Sequence, residues 1–111
     1  MRIWVRSALG LSKEQTVKIL SSKLFQEQLT SIFQPYLESD LKGLKNFKLY
    51  LDTVIINIPS KAKKYKKSVY FDDENIRDVE HQGYTIPFFL DEKSQTYVIL
   101  GIIKTNIGKN I

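Results

Sequence analysis

The spacing of apolar residues in the first third of the chain predicts a short strand followed by a long helix. Ile3 and Val5 alternate as in a strand, and Gly10 ends it. The run Ser12-Lys13-Glu14-Gln15 is typical of a capping box at a helix start. Apolar residues then follow at helical spacing: Val17, Leu20, Leu24, Ile32 and Phe33. The pattern predicts a helix that ends before Pro35 and that the pair Ser21-Ser22 could divide in two.

The next apolar residues predict a short second helix and then a strand. Pro35 suits the first turn of a helix over Tyr36 to Leu41, closed by Gly43. Between Phe47 and Ile58 the apolar residues occupy odd positions first and even positions later, with the change at Asp52-Thr53. A strand with a bulge or tight turn at the change would give this pattern.

The C-terminal third predicts a β-hairpin preceded by one more strand, Ile76 to Glu80. Apolar residues alternate from Tyr84 to Leu90, and Tyr97 to Ile103 is almost continuously apolar, as in a central strand. Pro87 requires an edge or an unpaired N–H position, and Gly101 indicates a bulge or a close helix contact. We therefore expect one α+β domain over residues 1–111. Its antiparallel or mixed sheet of four to five strands would carry two N-terminal helices on one face.

Composition narrows the class of protein. The chain has 111 residues, is 42% hydrophobic and contains no cysteine, so it has neither disulfides nor thiolate metal sites. A single histidine argues against a zinc site, and we expect no metal and no cofactor. No apolar run is long enough to span a membrane, and the N-terminus lacks the apolar core of a signal peptide. We expect a soluble cytoplasmic protein without a membrane partner.

The net charge of +5 is local. It comes from Lys61, Lys63, Lys64, Lys66 and Lys67, because the other 12 basic residues equal the 12 acidic ones in number. These lysines could bind RNA phosphates while Tyr65 stacks on a base, or they could form a solvated loop. The acidic residues that follow fit a solvated turn better than a metal site: Asp72, Asp73, Glu74, Asp78 and Glu80.

The closing hairpin resembles the RelE/ParE superfamily of toxins from bacterial toxin–antitoxin pairs. The shared features are Gly83-Tyr84, an apolar strand, the turn Asp91-Glu92-Lys93 and a long apolar strand that ends on Lys104. The opening strand and helix are similar to the YafO-type messenger-RNA interferases. This resemblance implies a cognate antitoxin as partner and messenger RNA at the ribosome as target. One departure is Thr85, where RNA-cleaving members usually carry arginine.

The candidate catalytic set for RNA cleavage is Arg77, His81, Tyr84 and Lys104. The resemblance implies Arg77 and Lys104 as counterparts of the family's basic residues, and His81 lies just before Gly83-Tyr84. The pKa of histidine suits acid–base work near neutrality, although a histidine or lysine at a strand end can equally be a plain surface residue. Ribosome-associated cleavage of messenger RNA is the first hypothesis. The alternatives are a non-catalytic ParE-like toxin that poisons DNA gyrase, favoured by Thr85, and a degenerate binding module of the same fold.

Overall fold

The computed structural model describes residues 2–7 and 16–105. The secondary-structure elements follow in chain order: β1 Arg2–Ser7, β2 Thr16–Ser21, α1 Lys23–Ser39, α2 Leu41–Ile56, α3 Ile58–Lys61, a 3₁₀ turn Ala62–Lys64, β3 Ile76–His81, β4 Tyr84–Asp91, β5 Thr96–Ile99 and β6 Ile103–Lys104.

The described strands form one mixed sheet. Its order is β1-β2-β5-β4-β3, and β6 pairs with the N-terminal end of β4. The contact between β2 and β5 is parallel, and all other strand pairs are antiparallel. The predicted α+β class and mixed sheet are confirmed, and β5 is the expected central strand. The chain leaves it at Leu100, so the long apolar run continues as β6 against a different part of β4.

The predicted strand from Phe47 to Ile58 is wrong, because these residues belong to α2, to α3 and to the cap residue Asn57 between them. The change from odd to even apolar positions is what a helix produces when its buried stripe advances by three or four residues. The buried side chains of this segment follow that spacing: Leu44, Phe47, Leu51, Ile55 and Ile58. No bulge occurs at Asp52-Thr53, and both residues lie within α2.

The predicted boundaries of the first helix are also wrong. Residues 16–21 are strand β2, and α1 begins after Ser22, whose Oγ accepts a hydrogen bond from the Phe25 N–H at 3.0 Å. The serine pair is therefore the true start of the helix. The capping box at Ser12-Gln15 and the strand end at Gly10 lie outside the described residues. β1 confirms the predicted first strand.

Two residues predicted to end helices do not end them. Pro35 lies inside α1, which continues to Ser39, so the separate helix over Tyr36 to Leu41 does not form. Pro35 and Ser31 are exposed, so water can solvate the Ser31 carbonyl that the proline leaves without a donor. Gly43 lies in the first turn of α2, and its N–H donates to the capping Asp40 Oδ1 at 2.8 Å. A Cβ at Gly43 would collide with that carboxylate.

α1 and α2 pack together and cover one face of the sheet. The core joins α2 to the sheet through one buried cluster, to which Leu51 and Ile55 contribute from α2, Ile86 and Phe88 from β4, and Ile99 from β5. Near Gly101 the predicted close helix contact is confirmed: Gln28 of α1 accepts the Ile102 N–H at 2.8 Å, and its Oε1 lies 2.7 Å from where a Gly101 Cβ would stand.

Pro87 lies where β4 changes partner from β5 to β6. Its carbonyl accepts the Leu100 N–H at 2.8 Å, and its nitrogen points to the same side because both backbone groups of one strand residue share a direction. The predicted need for an unpaired N–H position is met there, since the chain has left β5 and β6 has not yet begun.

Two neighbouring leucines of α2 test the helical assignment. Leu51 is 2% exposed and Leu49 is 61% exposed, although a strand would place both on the same face. We expect Leu51→Ala to lower the free energy of unfolding by about 2–5 kcal/mol and Leu49→Ala to change it by less than about 0.5 kcal/mol. Chemical denaturation of both variants measures this difference. Equal losses would contradict the helix.

Candidate functional site

Three of the four predicted catalytic residues meet in one row across the sheet. In the strand register, Tyr84 of β4 lies opposite His81 of β3 on one side and Lys104 of β6 on the other. Residues directly opposite each other send their side chains to the same face. The row therefore lies on the helix-covered face, at the end of the sheet where the β3–β4 turn lies.

The rings of His81 and Tyr84 pack against helix α2. The Phe47 ring centroid lies 5.7 Å from that of Tyr84 and 6.4 Å from that of His81. Phe47 also stacks with Tyr36, with the two ring centroids 5.9 Å apart. Lys104 is exposed and forms no ion pair within residues 2–7 and 16–105, so the row places one cation beside two rings held in an aromatic cluster.

The surroundings of His81 favour the neutral form of its imidazole. Burial lowers the pKa of its imidazole below the usual value of 6.5. Its Nε2 is buried and makes no hydrogen bond within the described residues. A neutral imidazole can accept a proton, yet no carboxylate contacts this ring in the described part of the chain to orient it, as a catalytic base commonly requires.

Arg77 is engaged with the backbone of the lysine segment. It lies on β3 opposite Phe88, and its Nη1 donates to the carbonyls of Tyr65 at 2.8 Å and Lys63 at 3.5 Å. Its Nε is buried. The guanidinium therefore fixes the 3₁₀ turn and the following residues against the sheet. It lies four residues before His81 along β3, a rise of about 13 Å.

The lysine run is ordered against the sheet edge rather than looped out. Lys61 ends α3, Lys63 and Lys64 lie in the 3₁₀ turn, and Lys67 bridges to Arg77 of β3. Lys63 pairs with Glu92 at 3.1 Å and Lys67 with Asp72 at 3.3 Å. Within residues 2–7 and 16–105, no ion pair engages the other three lysines, which are exposed: Lys61, Lys64 and Lys66.

Tyr65 faces the core instead of the solvent around it. Its ring meets the Phe88 ring edge-on at 5.8 Å, and burial raises the pKa of its hydroxyl. One side of the ring is thus already in contact with the protein. Base stacking by Tyr65 stays a prediction, with only the remaining ring surface to offer.

A cavity of about 460 Å³ lies on the opposite side of β3 and β4 from the helices. Its lining combines the lysine segment with acidic and hydroxyl side chains, and includes Lys64, Lys66, Lys67, Val69, Tyr70, Asp78, Glu80, Thr85 and Thr105. Thr85 is buried and its hydroxyl shares a 2.8 Å hydrogen bond with that of Thr105. Thr85, for which the resemblance to RNA-cleaving toxins would imply arginine, is here a buried, neutral partner of Thr105.

The sequence interpretation missed the exposed segment Val69-Tyr70-Phe71. The sequence carries a signal for it, since three consecutive apolar residues stand between a basic and an acidic run with no partner strand in the pattern.

The structure separates the acidic residues of the predicted solvated turn into two groups. Asp78 and Glu80 line the cavity, while Asp72, Asp73 and Glu74 lie outside it. The described residues contain no group of three histidine, cysteine or acidic side chains that could hold a metal ion.

Comparison with known proteins identifies the fold. No family model and no curated protein matches the chain. A solved structure described as the chromosomal ParDE toxin–antitoxin system from P. aeruginosa matches with a TM-score of 0.58 and 16% identity, over 78% of this chain and 94% of that chain. This chain shares the fold of that protein. The RelE/ParE resemblance is thus supported at the level of the fold, and the YafO-type subgroup stays a prediction.

None of the described helices is long and apolar enough to cross a membrane.

His81 gives a direct test of its burial, because it is the only histidine in the chain. We expect its imidazole to titrate below pH 6.5 in the folded protein and near 6.5 in the unfolded chain. The unfolded chain then binds the proton more readily. The associated stability is fully present above about pH 6.5 and is lost as the pH falls through the folded pKa. NMR titration gives the folded pKa.

The matched stability measurement uses His81→Gln. Between about pH 7 and pH 5 the unmodified protein should lose more unfolding free energy than this variant, whose residue 81 does not titrate. Equal losses, together with a folded pKa of 6.5 or above, would show that the imidazole is not buried as described.

Substitution of Arg77 should lower the stability of the fold, whereas substitution of Lys104 should leave it nearly unchanged. Arg77→Met removes a charged donor from two backbone carbonyls, and we expect it to lower the free energy of unfolding by about 1–3 kcal/mol. Lys104→Met, at an exposed position, should change it by less than about 0.5 kcal/mol. Thermal or denaturant unfolding measures both, and a neutral Arg77→Met would show that its hydrogen bonds do not anchor the lysine segment.

Proposed function

We propose that the chain is the toxin of a toxin–antitoxin pair and that it acts by binding its target rather than by cleaving RNA. The fold shared with a protein of a ParDE system supports the toxin assignment. The observation that carries the non-cleaving mode is the engagement of Arg77, whose guanidinium is used to hold the backbone of residues 63 and 65.

The other candidate catalytic groups support the same conclusion. Cleavage through the 2′-hydroxyl requires a base, an acid and cations that converge on one phosphate. His81 and Tyr84 pack on Phe47, and Thr85 supplies a buried hydroxyl where a cation would be needed. Of the predicted set, Lys104 is the exposed cation beside this row, and one lysine is a weak basis for phosphate chemistry.

A ParE-like toxin without a catalytic set would act on DNA gyrase, as the ParE-type resemblance implies. In this proposal a cognate antitoxin binds the chain in the cytoplasm and blocks its surface. The toxin itself needs no cofactor. Target binding would then depend on surface complementarity, and single changes at His81 or Lys104 would leave toxicity largely intact.

Messenger-RNA cleavage at the ribosome is the second candidate. The observation that favours it is the group of exposed lysines without ion pairs in the described chain, Lys61, Lys64 and Lys66, which could bind RNA phosphates. A neutral His81 near Tyr84 and Lys104 could supply the proton transfers if target binding drew His81 away from Phe47.

Inducible expression separates the two candidates. For a gyrase poison we expect growth arrest with a DNA-damage response, loss of supercoiling activity by purified gyrase in the presence of the protein, and continued methionine incorporation at early times. For an RNA-cleaving toxin, methionine incorporation falls first and transcripts are cut. Early loss of incorporation with normal supercoiling would overturn the non-cleaving proposal.

The variant pair His81→Gln with Lys104→Ala is the control for this experiment. Both positions lie at the edge of the aromatic row, so the doubly substituted protein should fold, as circular dichroism can check. We expect its toxicity to stay within a few-fold of the unmodified protein. If the folded variant were no longer toxic, the row of His81, Tyr84 and Lys104 would be catalytic after all. If overexpression of the unmodified chain were harmless, the toxin assignment itself would be wrong.

A further inference from the structure

Strand β1 forms one edge of the sheet, and its outer side is unpaired in the described part of the chain. It pairs with β2 alone, through six consecutive residue pairs that join Arg2–Ser7 to Thr16–Ser21 without a bulge. Soluble proteins commonly protect an edge strand with proline, lysine or a bulge. The centre of β1, Ile3-Trp4-Val5, contains none of these and consists of residues that favour strands. An edge of this kind is a template for pairing with another strand.

The hydrogen bonds of β2 show which backbone groups of β1 face outward. Lys18 of β2 donates its N–H to the Gln95 carbonyl, on the side of β5, at 3.0 Å. Because backbone groups alternate in direction along a strand, those of the neighbouring Ile19 face β1. Ile19 lies opposite Trp4, so the backbone groups of these two residues face each other. The N–H and carbonyl groups on the outer side therefore belong to the alternate residues of β1: Ile3, Val5 and Ser7.

The opposite edge of the sheet is partly covered, so the two edges of the sheet differ. The Asp78 N–H on β3 donates to the Lys66 carbonyl at 3.1 Å, and the Ile76 carbonyl accepts the Ser68 N–H at 2.7 Å. These bonds occupy outward backbone groups of β3. A head-to-tail contact between β1 of one copy and β3 of another is therefore obstructed. Among the described strands of this chain, the one that fits the outer side of β1 is β1 of a second copy.

Two copies of β1 can meet about a two-fold axis, because an antiparallel strand pair has that symmetry. If Val5 lies opposite Val5 of the second copy, Ile3 of each copy lies opposite Ser7 of the other. All of these residues turn their backbone groups outward, so three opposed pairs exchange hydrogen bonds. The strand can thus satisfy its own outer edge along most of its length.

The neighbouring register is less favourable. If Trp4 lies opposite Trp4 of the second copy, the described strand offers two hydrogen-bonded pairs, both between Ile3 and Val5. This register also places Arg2 of each copy directly opposite Arg6 of the other. Like charges at directly opposite positions destabilise a strand pair. Hydrogen bonding and charge therefore favour the same register, the one centred on Val5.

We propose that the chain forms a two-fold dimer in which β1 pairs antiparallel with β1 of a second copy, with Val5 opposite Val5. The two sheets then continue into one another, and each copy covers the free edge of the other. Such an interface is isologous and closes at two copies. Pairing through one short strand buries a small area, so we expect a dimer that dissociates on dilution. The inference goes beyond the proposed function, because it holds whichever target the protein binds.

Cross-linking through a single introduced cysteine tests this register, since the chain has no cysteine of its own. Directly opposed residues of a hydrogen-bonded pair have Cα atoms about 5.5 Å apart, a separation that a disulfide spans. We expect mild oxidation to convert most of a Val5→Cys variant to a covalent dimer. Leu49→Cys, at a 61% exposed position of α2, is the matched control and should cross-link several-fold less. Equal cross-linking of the two variants, or stronger cross-linking of Trp4→Cys, would overturn the proposal.

A charge exchange at two positions tests the same contact without oxidation. Ile3→Lys with Ser7→Lys places lysine opposite lysine twice, and we expect it to weaken the dimer by about tenfold or more in sedimentation velocity. Ile3→Glu with Ser7→Lys changes the same two positions but places opposite charges together, so it should dimerise at least as well as the unmodified chain. Circular dichroism checks that both variants fold. An unmodified chain that stays monomeric at high concentration, equal association of the two variants, or assembly beyond two copies would contradict the proposal.

Discussion

The packing of helix α2 on the sheet is the interaction on which the rest of this structure depends. Its buried stripe, with Phe47, Leu51 and Ile55, joins one cluster with the inward side chains of β4 and β5. Burial of side chains of this size contributes about 1.5–3 kcal/mol each. Because strand residues alternate in direction, the same packing decides which side chains of β3 and β4 face the helices and which face outward.

That division explains the character of the candidate site. Tyr84 and His81 share a face with Phe88, and they meet the aromatic end of α2. Thr85 has the opposite direction and lies in the lining of the outer cavity. The residues that RNA cleavage would need are thus divided between two faces of the sheet, and the half-buried Arg77 anchors the backbone of residues 63 and 65. The fold shared with a protein of a ParDE system and the separation of these residues in the described part of the chain are both consistent with the proposal that the protein acts by binding.

The lysines of residues 61–67 fall into two groups, those in ion pairs and those without an ion pair in the described chain. Lys63 and Lys67 are held in ion pairs with Glu92 and Asp72, and Arg77 fixes the backbone between them. Exposed ion pairs of this type contribute little stability, so the hydrogen bonds of Arg77 and the contact of Tyr65 with Phe88 are the stronger anchors. These contacts hold the backbone that carries Lys64 and Lys66 near Val69. The short basic stretch therefore forms a defined surface.

The sequence determined the elements whose periodicity is local and strong. The hairpin of β4 and β5, the first strand, the central position of β5 and the close approach at Gly101 could all be predicted. The helix α2 was mistaken for a strand because a stripe that advances by three or four residues falls on odd positions and then on even ones. Ser22 could be recognised as a helix start only as a possible division, because Val17 and Leu20 are three residues apart and match helical spacing, whereas β2 directs them to opposite faces.

Only the tertiary structure decided what the candidate site residues do. Arg77, His81 and Tyr84 are the residue types that catalysis uses, and the chain alone cannot show that a carbonyl at residue 65 or a ring at residue 47 occupies them. Those contacts join residues 12 to 37 positions apart, and they exist because α2 and the lysine segment fold back onto β3 and β4. Sequence periodicity reports which face of an element is buried; it does not report which distant element lies against it.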